Sequence, residues 1–269
     1  MRLKIVLGFP RRSLLPWDYP EWLRGLAYTA LGRGVPQIAQ RLHEEGWRGD
    51  RGRRYKPLTY SWLHGLRPDG VGLWAEGSAT WWIASPIGAV VEALALGLLR
   101  GPDLRLGPYP VQVERVEVEP IPSLEGPVTL VTLSPITLST GERRPDGRLV
   151  KRYLSPEEPA FEEALVENLR RKAEAFWGRP AAGEIRIRIH PPYRSKLVRI
   201  HGTDIRGWMF TCTAEGDPEL LRLGYLGGLG EHTASGFGMV ALAPTADRPA
   251  RRQPLPPALE RSGGQWARS

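Results

Sequence analysis

Two apolar periods alternate along this chain, and they alternate in the same order twice. A period near two marks a strand with one buried face, and a period near 3.6 marks a helix. Arg2 to Gly8 reads as a strand, and Glu21 to Leu31 as a helix with Leu23, Leu26, Ala27 and Ala30 on one stripe. A second helical stretch runs from Val35 to Glu45, with Val35, Ile38, Ala39 and Leu42 on one side. Gly46 to Arg54 is polar, glycine-rich and basic, hence a loop. Pro57–His64 and Val71–Ile83 read as strands around a turn at Pro68-Asp69-Gly70. Ser85 caps the next helix, with Pro86 at its first position and Gly101 just past its end. Leu104 to Val118 is strand material broken at Gly107-Pro108. The order is β-α-β-β-α-β, the split βαβ plan of a ferredoxin-like domain.

The plan then recurs. Pro127 to Leu133 is apolar and β-branched, and Leu138 to Arg152 reads as a long hairpin. Ser155, Pro156 and Glu158 form a capping-box start to a helix ending near Phe176. In Ile185–His190 the three isoleucines face one way and Arg186, Arg188 and His190 the other. Leu197–Ile200 and Trp208–Thr213 continue the sheet, and Asp217–Leu223 is a short helix. A glycine-rich stretch, Gly224–Gly238, precedes the short strand Met239–Ala243. The expected fold class is α+β: two tandem ferredoxin-like, RRM-like domains over residues 1–120 and 121–243, with a glycine-rich loop before the last strand. Pro244–Ser269, rich in Pro, Arg and Gly, predicts a disordered tail.

Charge narrows the partner. The 269 residues carry a net charge of +8, and 32 of the 37 cationic side chains are arginine. Arginine grips phosphate with a planar fork and stacks on bases, so a polyanion is the leading partner. The charge is concentrated: Arg48–Lys56 carries +4, Gly141–Arg152 +3, Arg186–Arg199 +5, and the remainder outside the tail is acidic. A basic membrane surface competes, but no basic amphipathic helix with an aromatic insertion face is visible. Pro86–Leu99, the most apolar run, is 14 residues long, too short to cross a bilayer. The single cysteine, Cys212, excludes an internal disulfide and a multi-cysteine zinc site, and the chain reads as intracellular and cytoplasmic.

Helical phase selects candidate chemistry. His43 lies five residues from Ile38 and Tyr28 five from Leu23, each about 140° off its apolar stripe. Both therefore project from polar faces, where a solvated side chain is the plain alternative to a joint site. Lys56 follows the arginine-rich loop at the entry to a strand. His64 and His201 fall in strands, His232 in the glycine stretch, and Cys212 at a strand centre reads as core. The glycine stretch lacks the Gly-Lys-Ser/Thr ending of a P-loop and opens no helix after a first strand. It reads either as a flexible turn or as exposed backbone amides that approach a phosphate chain.

Several blocks then carry a resemblance. They are Leu23-Arg24-Gly25-Leu26-Ala27-Tyr28, Leu42-His43-Glu44, Lys56-Pro57-Leu58-Thr59-Tyr60-Ser61 and Thr132-Leu133-Ser134-Pro135-Ile136. Gly227-Gly228-Leu229-Gly230, followed by Gly236-Phe237-Gly238-Met239-Val240, is the most specific. In this order, over residues 1–243, the chain resembles the CRISPR-associated precursor-RNA endoribonucleases, the sixth Cas family of the RAMP superfamily. The resemblance implies a metal-independent trio of Tyr28, His43 and Lys56, with no cofactor. The loop between His43 and Lys56 is longer than in the relatives, so one of its arginines is an alternative to Lys56. It implies cleavage of CRISPR repeat RNA by the neighbouring 2′-OH, leaving a 5′-OH and a 2′,3′-cyclic phosphate or 3′-phosphate. His43 and Tyr28 can exchange roles as base and acid. The charge windows and the glycines add RNA-binding candidates: Arg51, Arg53, Arg54, Arg143, Arg144, Arg186, Arg188, Arg194, Lys196, Gly227, Gly228, Gly230, Gly236 and Gly238. A non-catalytic RNA-binding scaffold subunit of an effector complex is the alternative function. The resemblance leaves open contact with such a complex and a homodimer, and it implies no membrane partner.

Overall fold

A computed structural model describes residues 1–49, 52–101 and 103–244. The N-terminal sheet is built around β1 (Arg2–Leu15), which pairs antiparallel with β6 (Gly72–Ala84) and β8 (Tyr109–Glu119). Short strands flank them, giving the order β4-β6-β1-β8-β7, with β4 at Thr59–Tyr60, β7 at Leu104–Leu106 and β5 (Arg67–Asp69) also on β6. The alternation in β1 buries Leu3, Ile5 and Leu7 in one core with Leu23, Leu26 and Ala27 of α1 (Pro20–Gly34) and Val90, Val91 and Leu94 of α3 (Gly88–Leu99). α1 and α3 meet backbone to backbone. A methyl group on Gly97 would lie 1.7 Å from the Ala30 carbonyl oxygen, and one on Gly34 1.8 Å from that of Ala93.

The C-terminal sheet has the order β12-β13-β9-β14. Its strands are Val128–Thr132, Ile185–Ile200, Thr203–Gly216 and Val240–Leu242, numbered β9, β12, β13 and β14. Helices α4 (Ala160–Trp177) and α5 (Pro218–Gly227) contribute to its core, with Phe161, Leu165 and Leu220 against Ile187, Phe210 and Cys212. A separate two-stranded hairpin joins β10 (Ser139–Arg143) to β11 (Leu149–Tyr153). In both halves the first strand sits between the third and the fourth, with the second at the edge. The protein is thus a tandem of two ferredoxin-like units.

Several elements depart from the sequence reading for physical reasons. The second helix keeps α-geometry only over Pro36–Gln40 (α2) and then widens into a π-turn, Arg41–Glu45, closed by the Gly46 N–H donating to the Arg41 carbonyl at 2.9 Å. The expected loop after it contains a small ladder of β2 (Trp47–Arg48) with β3 (Arg54–Tyr55). Trp47 and Tyr55 both pack edge-on against Phe176 of α4, so this ladder leans on the other half. Ser85 does accept the Ile87 N–H at 3.0 Å, but the helix begins at Gly88 rather than at Pro86. The Ser155 N–H donates to the Glu158 carboxylate at 2.7 Å, but the Ser155 hydroxyl accepts from Glu157 rather than Glu158, and α4 starts only at Ala160. His201 occupies a hairpin turn with φ of 49°, not a strand, and His64 makes only an isolated bridge to Thr80. Of the tail read over Pro244–Ser269, all but Pro244 lies outside the described residues. Among the described residues, no helix is long and apolar enough to cross a membrane.

Candidate active site

A cleft of about 420 Å³ opens between the two halves. From the N-terminal half it is lined by Arg24 and Tyr28 of α1 and by Lys56; from the C-terminal half by Lys172, His201 and His232. Arg24 and Tyr28 are four residues apart and so share a helix face, turned away from the Leu23–Leu26 stripe. His43 does not line the cleft itself; it is exposed on the π-turn, beside Tyr28, while its neighbour Leu42 is buried. The π-turn changes the angular step that a continuous α-helix would give His43, and the imidazole faces the Tyr28 ring edge-on at 5.6 Å between centroids.

Lys56 joins the two. Its Nζ donates to the Tyr28 hydroxyl at 3.4 Å and to the His43 carbonyl at 3.2 Å, and lies 5.6 Å from the Tyr28 ring centre. Tyr28, His43 and Lys56, far apart in sequence, therefore occupy one place. Burial, only partly opposed by the Arg24 charge, pushes the Tyr28 hydroxyl up to about 12, so the phenol holds its proton at neutral pH. Burial and then the Arg24 charge lower the Lys56 ammonium. The loop arginines lie differently: the Arg54 guanidinium donates to the Glu44 carbonyl at 2.8 Å, and Arg48 is exposed.

The glycine stretch holds this arrangement in place. Its carbonyls receive side chains from the segment just after Lys56: Thr59 Oγ1 donates to Phe237 O at 3.1 Å, and Trp62 Nε1 to Gly236 O at 3.1 Å. A side chain on Gly228 would strike Thr59 at 2.7 Å, and one on Gly236 would meet the Tyr60 ring at 3.0 Å. The reading of these glycines as exposed amide donors needs correction. Gly227 belongs to α5, and Gly227, Gly228, Gly230, Gly236 and Gly238 are all buried. The Gly238 N–H already donates to Pro135 O at 2.8 Å, and Gly236 N–H to Thr233 O at 3.3 Å. At Gly228 and Gly236 the absent side chains let the two halves of the molecule touch, whereas Gly230 and Gly238 press on residues of their own half.

Of the arginine windows, Arg53 and Arg54 line the cleft. Arg143 and Arg144 are exposed on the β10–β11 hairpin. Arg186, Arg188, Arg194 and Lys196 lie exposed along β12, with Arg186 paired to Glu215 at 3.1 Å. Arg51 lies outside the described residues. A larger groove, about 750 Å³, runs between α4 and the edge of β12, lined by Glu162, Glu163, Glu184 and Arg186. It holds none of Tyr28, His43 and Lys56.

Comparison with known proteins settles the family. Over 247 residues the chain is 30% identical to CRISPR-associated endoribonuclease Cas6 1 of Methanocaldococcus jannaschii, covering 89% of this chain and 92% of that protein. The chain belongs to the Cas6 family. CRISPR-associated endoribonuclease Cas6 of Pyrococcus furiosus is 28% identical over 237 residues, covering 86% of this chain and 84% of that one. The family described as CRISPR associated protein Cas6, C-terminal, matches residues 118–242. A solved structure described as CRISPR associated protein Cas6 superposes with a TM-score of 0.77 at 29% identity, covering 91% of this chain and 99% of its own. A second, a Cas6-related protein from Pyrococcus furiosus, gives 0.79 at 21% identity over 90% and 98%, and shares the fold.

Within this Cas6-family cleft, sequence reasoning missed four residues. Arg24 was legible from its spacing to Tyr28. Asn168 and Lys172 sit in register with Phe161, Leu165 and Leu169 on the apolar face of α4, where a polar residue is itself a signal. His201 gave no signal, because its place depends on how far the β12–β13 hairpin reaches. At the tip of that hairpin the His201 N–H donates to Glu21 of α1 at 3.2 Å.

Proposed function

We propose that this protein is an endoribonuclease that cuts CRISPR repeat RNA within a precursor transcript, without a metal ion. The observation that carries the reading is the convergence of Tyr28, His43 and Lys56 in one cluster beside the cleft of a Cas6-family chain. The 2′-oxygen beside the scissile phosphate attacks phosphorus, forming the O2′–P bond as the P–O5′ bond breaks. The products are a 2′,3′-cyclic phosphate, or a 3′-phosphate after water opens the ring, and a 5′-OH.

Two protons must move. Imidazole is the side chain whose ordinary range suits removal of the 2′-OH proton near neutrality, which assigns His43 as base. The phenol of Tyr28 keeps its proton at neutral pH, which suits it to hydrogen-bond or protonate the leaving 5′-oxygen. Lys56 and Arg24 place cationic groups beside Tyr28, where a phosphorane gains negative charge.

His43→Ala tests the assignment in buffer containing EDTA. Loss of a general base predicts a fall in cleavage of about 10²–10⁴-fold with repeat binding largely kept. Full cleavage by that variant, or cleavage of RNA carrying a 2′-deoxy sugar at the cut, would sink the reading.

A further inference from the structure

The hairpin of β12 and β13 reaches across to the other half and ends on a single carboxylate. At its tip His201 sits with φ at 49°. Its backbone N–H donates to Glu21 Oε1 of α1 at 3.2 Å, and its ring Nδ1 lies 3.4 Å from the same oxygen. Arg199, two residues earlier, does not compete for that oxygen, because Asp204 takes its guanidinium at 2.8 and 3.2 Å. Glu21 has another candidate partner one turn along α1. Arg24 lies at i+3, the spacing of a helical ion pair, yet its Nη2 stays 3.8 Å from Glu21 Oε1.

That distance is too long for a hydrogen bond. The rest of the Arg24 guanidinium is no better served, since its Nε is buried and has no partner, a costly state for a charged donor. Lys56 adds a second positive charge nearby: burial first, and the Arg24 charge second, lower its ammonium. Arg24, Lys56 and His201 all line the one cleft. The α1 carboxylate next to Arg24 is thus bonded to the opposite half of the molecule.

Two neighbouring cations with unfilled donors favour an anion between them. Glu21 and an RNA phosphate are rivals for the same guanidinium, since both present oxygens that suit its planar fork. Closed on Arg24, Glu21 would fill the fork and cancel the charge. Held at the hairpin tip, it leaves both to the phosphate.

We propose that His201 is a positioning residue: by holding Glu21 at the hairpin tip, it keeps the Arg24 guanidinium open for an RNA phosphate in the cleft. The inference rests on the reading that the cleft acts on repeat RNA, and it gives the hairpin tip a part that the cleavage chemistry alone does not require.

The test reads binding, so that it survives a failure of the cleavage reading. Repeat RNA made uncleavable by a 2′-deoxy sugar at the cut is titrated at several salt concentrations. Arg24→Ala deletes the phosphate contact and should reduce the slope of log affinity against log salt by about 1. His201→Gly removes the imidazole, suits the positive φ of the turn and leaves Glu21 only the backbone N–H. It should weaken binding about threefold, the scale of a partly exposed ion pair, and lower the slope in the same direction. Adding Glu21→Gln removes the rival charge and should return the affinity to near wild type, with thermal unfolding confirming the fold of each variant. A tip that merely braces the hairpin predicts the opposite sign, because Glu21→Gln would loosen the brace further. The proposal is overturned by His201→Gly without effect, by a double variant no tighter than His201→Gly, or by Glu21→Gln alone binding as weakly as Arg24→Ala. Unchanged binding by Arg24→Ala overturns it too. A wild-type chain that binds the RNA but never cuts it refutes the nuclease reading alone, and the rescue by Glu21→Gln still decides the part of His201. A wild-type chain that does not bind the RNA overturns both.

Discussion

The two halves share one strand order, yet they divide the work unequally. The N-terminal half supplies Arg24, Tyr28, His43 and Lys56, all from the first helix and the irregular connection that follows it. The C-terminal half supplies the counter-wall: the buried Lys172, the glycine stretch, and a hairpin whose tip touches α1. Neither set sits on the open face of a sheet. The same framework therefore carries the proposed reactive groups in one copy and clamping groups in the other, and the difference lies wholly in the connections between strands.

The largest effect that can break this division is on turnover. Tyr28→Phe removes a hydroxyl and little else, and should lower single-turnover cleavage about 10²-fold while repeat affinity stays near wild type. An unchanged rate would return the N-terminal half to a binding role. Next in size is the clamp. A methyl group on Gly238 would lie 2.2 Å from the Leu229 carbonyl oxygen with φ at 78°, whereas Gly126 has a similar φ of 72° and open space. Gly238→Ala should cost about 3 kcal/mol in denaturant unfolding through clash and strain together. Gly126→Ala should cost about 1 kcal/mol from backbone handedness alone. Equal costs would mean that the fold of the glycine stretch on itself, Gly238 against Leu229, does not hold the clamp.

A smaller effect follows from Lys172. Burial lowers its ammonium from 10.5 to about 7, so between those values the unfolded chain holds the extra proton. Stability from this group is therefore least below about pH 7 and rises as pH climbs toward about 10. Lys172→Met should remove that slope, as read by urea unfolding at the two ends of the range. The smallest predicted effect is on salt dependence. Arg53→Ala, at the cleft, should reduce the slope of log affinity against log salt by about 1. Arg186→Ala should change it less, since Glu215 already holds that side chain. The reverse result would route the RNA along β12 instead of through the cleft.

Much of the framework was legible in the sequence because it rests on local period. Both β-α-β-β-α-β orders, the core faces of α1 and β12, and the buried Cys212 follow from side-chain alternation. His43 is exposed as its phase suggested, though on a π-turn that does not keep that phase, and Tyr28 is half-buried against the N-terminal core. Two kinds of feature were not legible. One is backbone that leaves the standard periods, as in the π-turn at Arg41–Glu45, since no residue type there announces an extra residue in the turn. The other is contact across the halves. Glycines that look like exposed amides in a one-dimensional reading are buried, because Thr59, Tyr60 and Trp62 arrive from more than 170 positions away. Asn168 and Lys172 were written into the period of α4 as polar residues in apolar phase, a signal that was available and unused.

The bare contact between Gly34 and Gly97 has a mechanical consequence. With no side chain between them, α1 and α3 cannot slide or rotate past one another without driving a carbonyl into a Cα. The wall that carries Arg24 and Tyr28 is thus an anvil, seated on a second helix and a five-stranded path of sheet. The opposite wall is made of Asn168 and Lys172 of α4, the tip of the β12–β13 hairpin and the glycine stretch.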